Sequence, residues 1–107
     1  MGVLIKPVEL TKRALRDLAK TKRFYQDLYG ELKTEKIIDT IFEHLAVLED
    51  PEIDLTAVGS YDLEFNHLKR EYRKINVEYC KITYRIGKSK IYVIRVFDTR
   101  QNPKKNL

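Results

Sequence analysis

Tyr79-Cys80-Lys81-Ile82-Thr83-Tyr84-Arg85-Ile86-Gly87-Lys88-Ser89-Lys90-Ile91-Tyr92-Val93-Ile94-Arg95-Val96-Phe97-Asp98 reads as two β-strands joined by a tight loop. Both flanks are rich in β-branched and aromatic residues, which suit a pleated and half-buried surface. Gly87-Lys88-Ser89-Lys90 supplies the small and polar residues of a hairpin loop. Successive strand side chains point to opposite faces, so parity sorts them. Cys80, Ile82, Tyr84 and Ile86 form one set in the first strand, and Tyr79, Lys81, Thr83 and Arg85 form the other. In the second strand, Tyr92, Ile94 and Val96 alternate with Ile91, Val93, Arg95 and Phe97. If the first set of each strand lies in the core, the opposite face carries Lys81, Arg85 and Arg95 among Tyr79, Ile91, Val93 and Phe97. Cations attract polyanions and rings offer stacking or anchoring area, so this face is the candidate partner surface.

Upstream, the alternation of Tyr61, Leu63 and Phe65 with Asp62, Glu64 and Asn66 predicts a strand that continues irregularly over 61–75. A turn is expected at Asn76-Val77-Glu78, and residues 50–59 read as a polar loop. The period before that loop is helical. Leu15, Leu18, Tyr25, Leu28 and Leu32 recur at helix spacing after Thr11, a good N-cap, while Lys and Arg dominate the opposite face. Gly30 is the expected stop. A second helix over 32–48 buries Ile37, Ile38, Ile41, Leu45 and Leu48, and Pro51 ends it. The short joint makes the two helices an antiparallel hairpin. Residues 4–10 read as a first strand, confined by Pro7 to an edge or a strand end. The order is β-α-α-β-β-β: an α+β fold with an N-terminal strand and a two-helix hairpin on one face of a twisted, mainly antiparallel sheet. Residues 1–107 are expected to form one domain, with a flexible tail at 101–107.

Composition narrows the function classes. Of 107 residues, 43% are apolar and 35% charged, and the longest run free of charge is seven residues, 55–61. A membrane-spanning helix needs about 20 apolar residues, so none is expected. Met1-Gly2-Val3-Leu4-Ile5-Lys6 lacks the pattern of a secretory leader, and the expected compartment is the cytoplasm. Cys80 is the only cysteine, so neither an intrachain disulfide nor a cysteine-based metal cage is expected. The net charge is +5 but uneven: residues 1–68 carry −4, whereas residues 69–107 carry +9, from 12 basic and three acidic side chains. Such asymmetry suits a polyanionic partner.

The segment Arg73-Lys74-Ile75, then Tyr79-Cys80-Lys81-Ile82-Thr83-Tyr84-Arg85-Ile86, then Ile91-Tyr92-Val93-Ile94-Arg95-Val96-Phe97-Asp98-Thr99-Arg100 resembles the sheet signature of the RelE/ParE toxin superfamily. Leu10-Thr11-Lys12-Arg13-Ala14-Leu15-Arg16-Asp17-Leu18 is similar to that family's entry into its first helix. The resemblance implies a toxin of a bacterial type II toxin–antitoxin module, neutralised by a cognate antitoxin protein, with no cofactor and no metal. Two activities follow from it. A ParE-like toxin binds DNA gyrase and performs no chemistry. A RelE-like toxin cuts mRNA on the ribosome, which needs cations at the phosphate and an acid/base pair.

By this resemblance Lys81 stands where the family's central arginine falls, Arg73 and Lys74 are the basic groups of the preceding strand, and Arg100 is the late arginine. Lys81 and Arg100 are the catalytic candidates if the protein is a nuclease. Arg73, Lys74, Lys81, Arg85, Arg95 and Arg100 are the candidates for contact with the target or a nucleic acid. Asp98 occupies the position of the usual last-strand histidine, and Gln101-Asn102-Pro103-Lys104-Lys105-Asn106-Leu107 lacks the expected tyrosine or histidine. These departures, and the step from Val96 to Arg100, favour the ParE-like reading. A non-toxic nucleic-acid-binding module and a homodimer are the further alternatives. Among other residues, His44 is expected to pack at a helix boundary, His67 to lie at the surface, and Cys80 to be a buried inert thiol. Tyr25 and Tyr29 are expected to make core or hairpin contacts, and the acidic residues around Pro51 to form a solvated loop.

Overall fold

The computed structural model describes residues 6–50, 60–61 and 72–100. Its elements run β1 (Val8–Leu10), α1 (Lys12–Tyr29), α2 (Glu31–Val47), β2 (Ser60–Tyr61), β3 (Arg73–Val77), β4 (Cys80–Ile86) and β5 (Ile91–Asp98). The strands form one sheet in the order β1-β5-β4-β3-β2. β1 runs parallel to β5 and the other neighbours are antiparallel. The α+β arrangement expected from the sequence is the one observed. β1 lies at an edge, where Pro7, with no N–H to give, still accepts from the Ile91 N–H.

Local chemistry explains the helix limits. The Thr11 side chain accepts from the Ala14 N–H at 3.2 Å, while its backbone N–H donates to the Val93 carbonyl at 3.1 Å. One residue therefore caps α1 and fastens it to β5. Gly30 ends α1 with φ 81°, a conformation that costs a side chain, and its N–H donates to the Gln26 carbonyl. α2 starts at the very next residue.

The buried stripe of α2 is as its periodicity indicates: Ile37, Ile41, Leu45 and Leu48 are buried and Ile38 packs against them. The α1 stripe differs. Leu15, Leu28 and Leu32 are 53%, 51% and 80% exposed, and the residues that face the core are Ala14, Thr21 and Tyr25, with Leu18 packed beside them. Small residues at Ala14 and Thr21 let the helix backbone come close to β5, a fit that leucine at those positions would obstruct.

Three strand expectations change as well. Residues 61–75 are not one strand: Ser60 pairs with Lys74 and Tyr61 with Arg73 in antiparallel register, so the chain reverses between β2 and β3. The turn falls at Glu78 and Tyr79 rather than at 76–78, since Val77 still pairs with Cys80. Glu78 supplies the reversal with φ 56°. In β5 the parity switches. Ile82 opposes Val96 and Thr83 opposes Arg95, but Tyr84 opposes Val93, which leaves Ile94 as a bulge. Ile91, Val93 and Val96 consequently share the core face with Cys80, Ile82 and Tyr84. The expected core set of Tyr92, Ile94 and Val96 is incorrect at its first two members because a one-residue bulge inverts everything on one side of it. Alternating residues other than Tyr61 in the 61–65 run, His67, Pro51 and the 101–107 tail lie outside the described residues.

Candidate functional site

The register decides which cations meet. Directly opposed cross-strand residues share a face. Lys81 opposes Asn76 and Phe97, Thr83 opposes Lys74 and Arg95, and Arg85 opposes Tyr92. Lys74, Lys81, Arg85 and Arg95 therefore share the sheet face opposite Cys80, Ile82 and Tyr84, as the parity of β4 requires. Its apolar members are Tyr92 and Phe97 instead of Ile91 and Val93, a consequence of the bulge at Ile94.

That face is not open. Lys81 and Arg95 are each 4% exposed, Thr83 is fully buried and Phe97 is 6% exposed. Arg95 Nε donates to Asp17 Oδ2 at 2.6 Å, and its terminal nitrogen donates to Asp17 Oδ1 at 3.3 Å. Arg85 is half-buried, its guanidinium 4.4 Å from the centre of the Tyr92 ring. The expected solvent-facing array of Lys81, Arg85 and Arg95 is thus a packed layer in which Arg85 alone retains substantial exposure. Lys74 is half-buried on the same face.

Arg73 and Arg100 belong elsewhere. Arg73 opposes Tyr84, so it points to the helical side, and it is 5% exposed. Arg100 follows β5 and closes a cluster that the sequence did not reveal. Its Nε and Nη2 donate to the two oxygens of Asp98 at 3.1 and 2.9 Å, and its Nη1 donates to the Tyr29 hydroxyl. The guanidinium lies 4.3 Å from the centre of the Tyr79 ring, with Phe24, Tyr25 and Tyr29 at 5.5–6.0 Å. Aromatic faces attract such a cation, and the two-pronged match to a carboxylate is a geometry that lysine cannot reproduce.

Asp98 is fully buried and also accepts from the Arg100 backbone N–H at 2.8 Å and from the Tyr25 hydroxyl. Burial alone would raise its pKa. The hydrogen bonds from Arg100 and Tyr25 outweigh burial and hold the carboxyl below its ordinary value. The same arrangement raises the Tyr25 phenol, first through burial and then through Asp98. Cys80, opposite Asp98, is fully buried and its thiol is pushed up to about 12, mainly by burial and secondarily by the Asp98 charge. It is the inert thiol expected. Tyr25 and Tyr29 make the core contacts expected of them, and both also wall a cage around Arg100, for which their spacing of four is the only signal in the sequence. His44 is exposed on α2, its Nδ1 2.8 Å from the Thr40 carbonyl, and not packed at the boundary.

The sequence matches the family described as the ParE toxin of the type II toxin–antitoxin system parDE over residues 8–103, and the chain belongs to that family. Among solved structures it is similar to a chain of the chromosomal ParDE toxin–antitoxin system from P. aeruginosa, with a TM-score of 0.70 and 19% identity. The match covers 88% of this chain and 96% of that one. At this identity the likeness speaks for the fold. A comparison with curated proteins found no match. No helix among the described residues is long and apolar enough to cross a membrane.

Proposed function

We propose that this type II toxin arrests growth by binding DNA gyrase, that it makes and breaks no bonds itself, and that a cognate antitoxin neutralises it. The observation that carries this reading is the engagement of the two cations a nuclease would need. Phosphodiester cleavage calls for a cation free to meet charge as it develops on the phosphate. Lys81 is 4% exposed, and Arg100 already spends its planar fork on Asp98. Displacing Asp98 from the Arg100 guanidinium would take the counter-charge from a fully buried carboxylate, which is costly. These contacts suit a rigid scaffold that presents a binding surface. Family membership supports the toxin class, and the basic C-terminal third of the sequence favours an antitoxin segment with acidic side chains.

Calorimetric titration of the purified chain into gyrase tests the reading. Saturable binding that added cognate antitoxin abolishes is the expected result. Absence of heat and of co-elution at tens of micromolar protein would remove it.

A further inference from the structure

We propose that the solvent face of α1 is a contact surface for the phosphate backbone of duplex DNA. At 100° per residue, Lys12, Arg16, Lys20 and Arg23 fall within one 80° arc of the helix, opposite Ala14, Thr21 and Tyr25, which face the core. All four are exposed, and none has a side-chain hydrogen bond or ion pair among the described residues. Arg13 borders the arc, and Asp27 stands one turn past Arg23 as the acidic residue on it. With a rise of 1.5 Å per residue, the four cations extend over about 16 Å. At 3.4 Å per nucleotide of one strand, that length matches about five phosphates.

This clustering works against the helix. Lys12–Arg16 and Arg16–Lys20 are like-charge pairs four apart, and Lys20–Arg23 is one three apart, all of which repel. The first turn holds Lys12 and Arg13 and no acidic residue, against the helix dipole. The exposed face of α2, in contrast, mixes Glu31, Lys33, Glu35, Lys36, Asp39 and Glu43. A helix selected for stability alone would look like α2.

The chemistry of the arc selects the occupant. Protein interfaces centre on aromatic and apolar anchors beside arginine, and single-stranded nucleic acids need rings to stack on. The arc has neither. Double-stranded RNA is recognised in part through its 2′-hydroxyls, and the arc offers no hydroxyl or amide side chain to meet them. Cations alone suit a duplex read without regard to sequence. The inference does not depend on gyrase, because DNA binding is measured on the purified chain alone.

Fluorescence anisotropy with a labelled 20-base-pair DNA duplex between 50 and 200 mM salt tests it. The variant K12Q/R16Q/K20Q is compared with K22Q/K36Q/K88Q, which removes equal charge from exposed positions off the arc. The slope of log K against log salt is expected to fall by about 2.7 for the first variant, three phosphate contacts at about 0.9 each. The control should change it by less than one contact. Equal slopes for the two variants would overturn the proposal, as would tighter binding of a single strand, of duplex RNA or of a polyglutamate competitor than of duplex DNA. If the triple variant does not fold, K12Q/R16Q should still lower the slope by about 1.8, and no change there would overturn it equally.

Discussion

Arg95 and Asp17 lock α1 to the sheet. Asp17 Oδ2 accepts from Arg95 Nε at 2.6 Å and from the Val96 backbone N–H at 3.1 Å. β1 pairs with Ile91, Tyr92 and Val93, so Asp17 takes over the β5 edge three residues farther on, past the end of β1. The side chains are 5% and 11% exposed, which places the pair under burial rather than at a screened surface. Asp17→Ala removes a partner from a buried guanidinium and an acceptor from a backbone N–H. It should destabilise the fold by about 3 kcal/mol, since breaking a buried ion pair is far more harmful than lacking one. Urea denaturation measures this; a loss below about 1 kcal/mol would show that the lock contributes little.

The second lock, Arg100 with Asp98, should appear in the pH dependence of stability. The Asp98 pKa is lower in the folded state than its ordinary value, so the folded protein binds fewer protons there than the unfolded chain. The stabilisation is fully present above the unfolded carboxyl value of about 3.9 and is lost as the pH falls through the depressed folded value. Arg100→Ala leaves burial as the main influence on Asp98, so the variant should be less stable at pH 7. It should also lose less on going from pH 5 to pH 3 than the parent does. Denaturation midpoints at pH 3, 5 and 7 read both effects. Parallel profiles for the two proteins would disprove the coupling.

Glu78 holds φ 56° in the β3–β4 turn, a region that side chains avoid and glycine enters freely. Glu78→Gly should stabilise by about 1 kcal/mol after the entropy that glycine adds to the unfolded chain is deducted. That corresponds to a rise in Tm of about 4 °C. Calorimetry that shows a lower Tm would mean that the Glu78 side chain supplies more than its backbone strain costs.

The Cys80 thiol is fully buried, and burial pushes it up to about 12. Reaction with a disulfide reagent at pH 8 should proceed at the rate of unfolding and accelerate in urea in step with it. Immediate labelling of the native protein would contradict the core position of β4.

Much of this architecture is legible in the residues themselves. Thr11 and Gly30 mark the limits of α1 because their chemistry is local, and Ile37, Ile41, Leu45 and Leu48 announce the core face of α2 because nothing interrupts their period. α1 is harder to read. Its core contacts use Ala14 and Thr21, chosen for small size at a close approach, while larger apolar residues such as Leu15 and Leu28 stay exposed. Size complementarity depends on the partner surface, which hydrophobic periodicity does not contain. The bulge at Ile94 is equally hidden, since no glycine or proline marks it, yet it reassigns Ile91 and Val93 to the core. The basic character of the candidate site is plain from Lys81, Arg85, Arg95 and Arg100. Its engagement is not, because Asp17 and Tyr29 lie more than 70 residues away in sequence from the arginines they hold.

Inhibition by binding and inhibition by cleavage separate most directly in paired assays on one preparation of the toxin. Gyrase-driven supercoiling of a plasmid is followed alongside integrity of a message on programmed ribosomes. Supercoiling should fail in proportion to the toxin bound, antitoxin should restore it, and the message should stay whole. Undisturbed supercoiling together with a message cut at defined codons would contradict inhibition by binding.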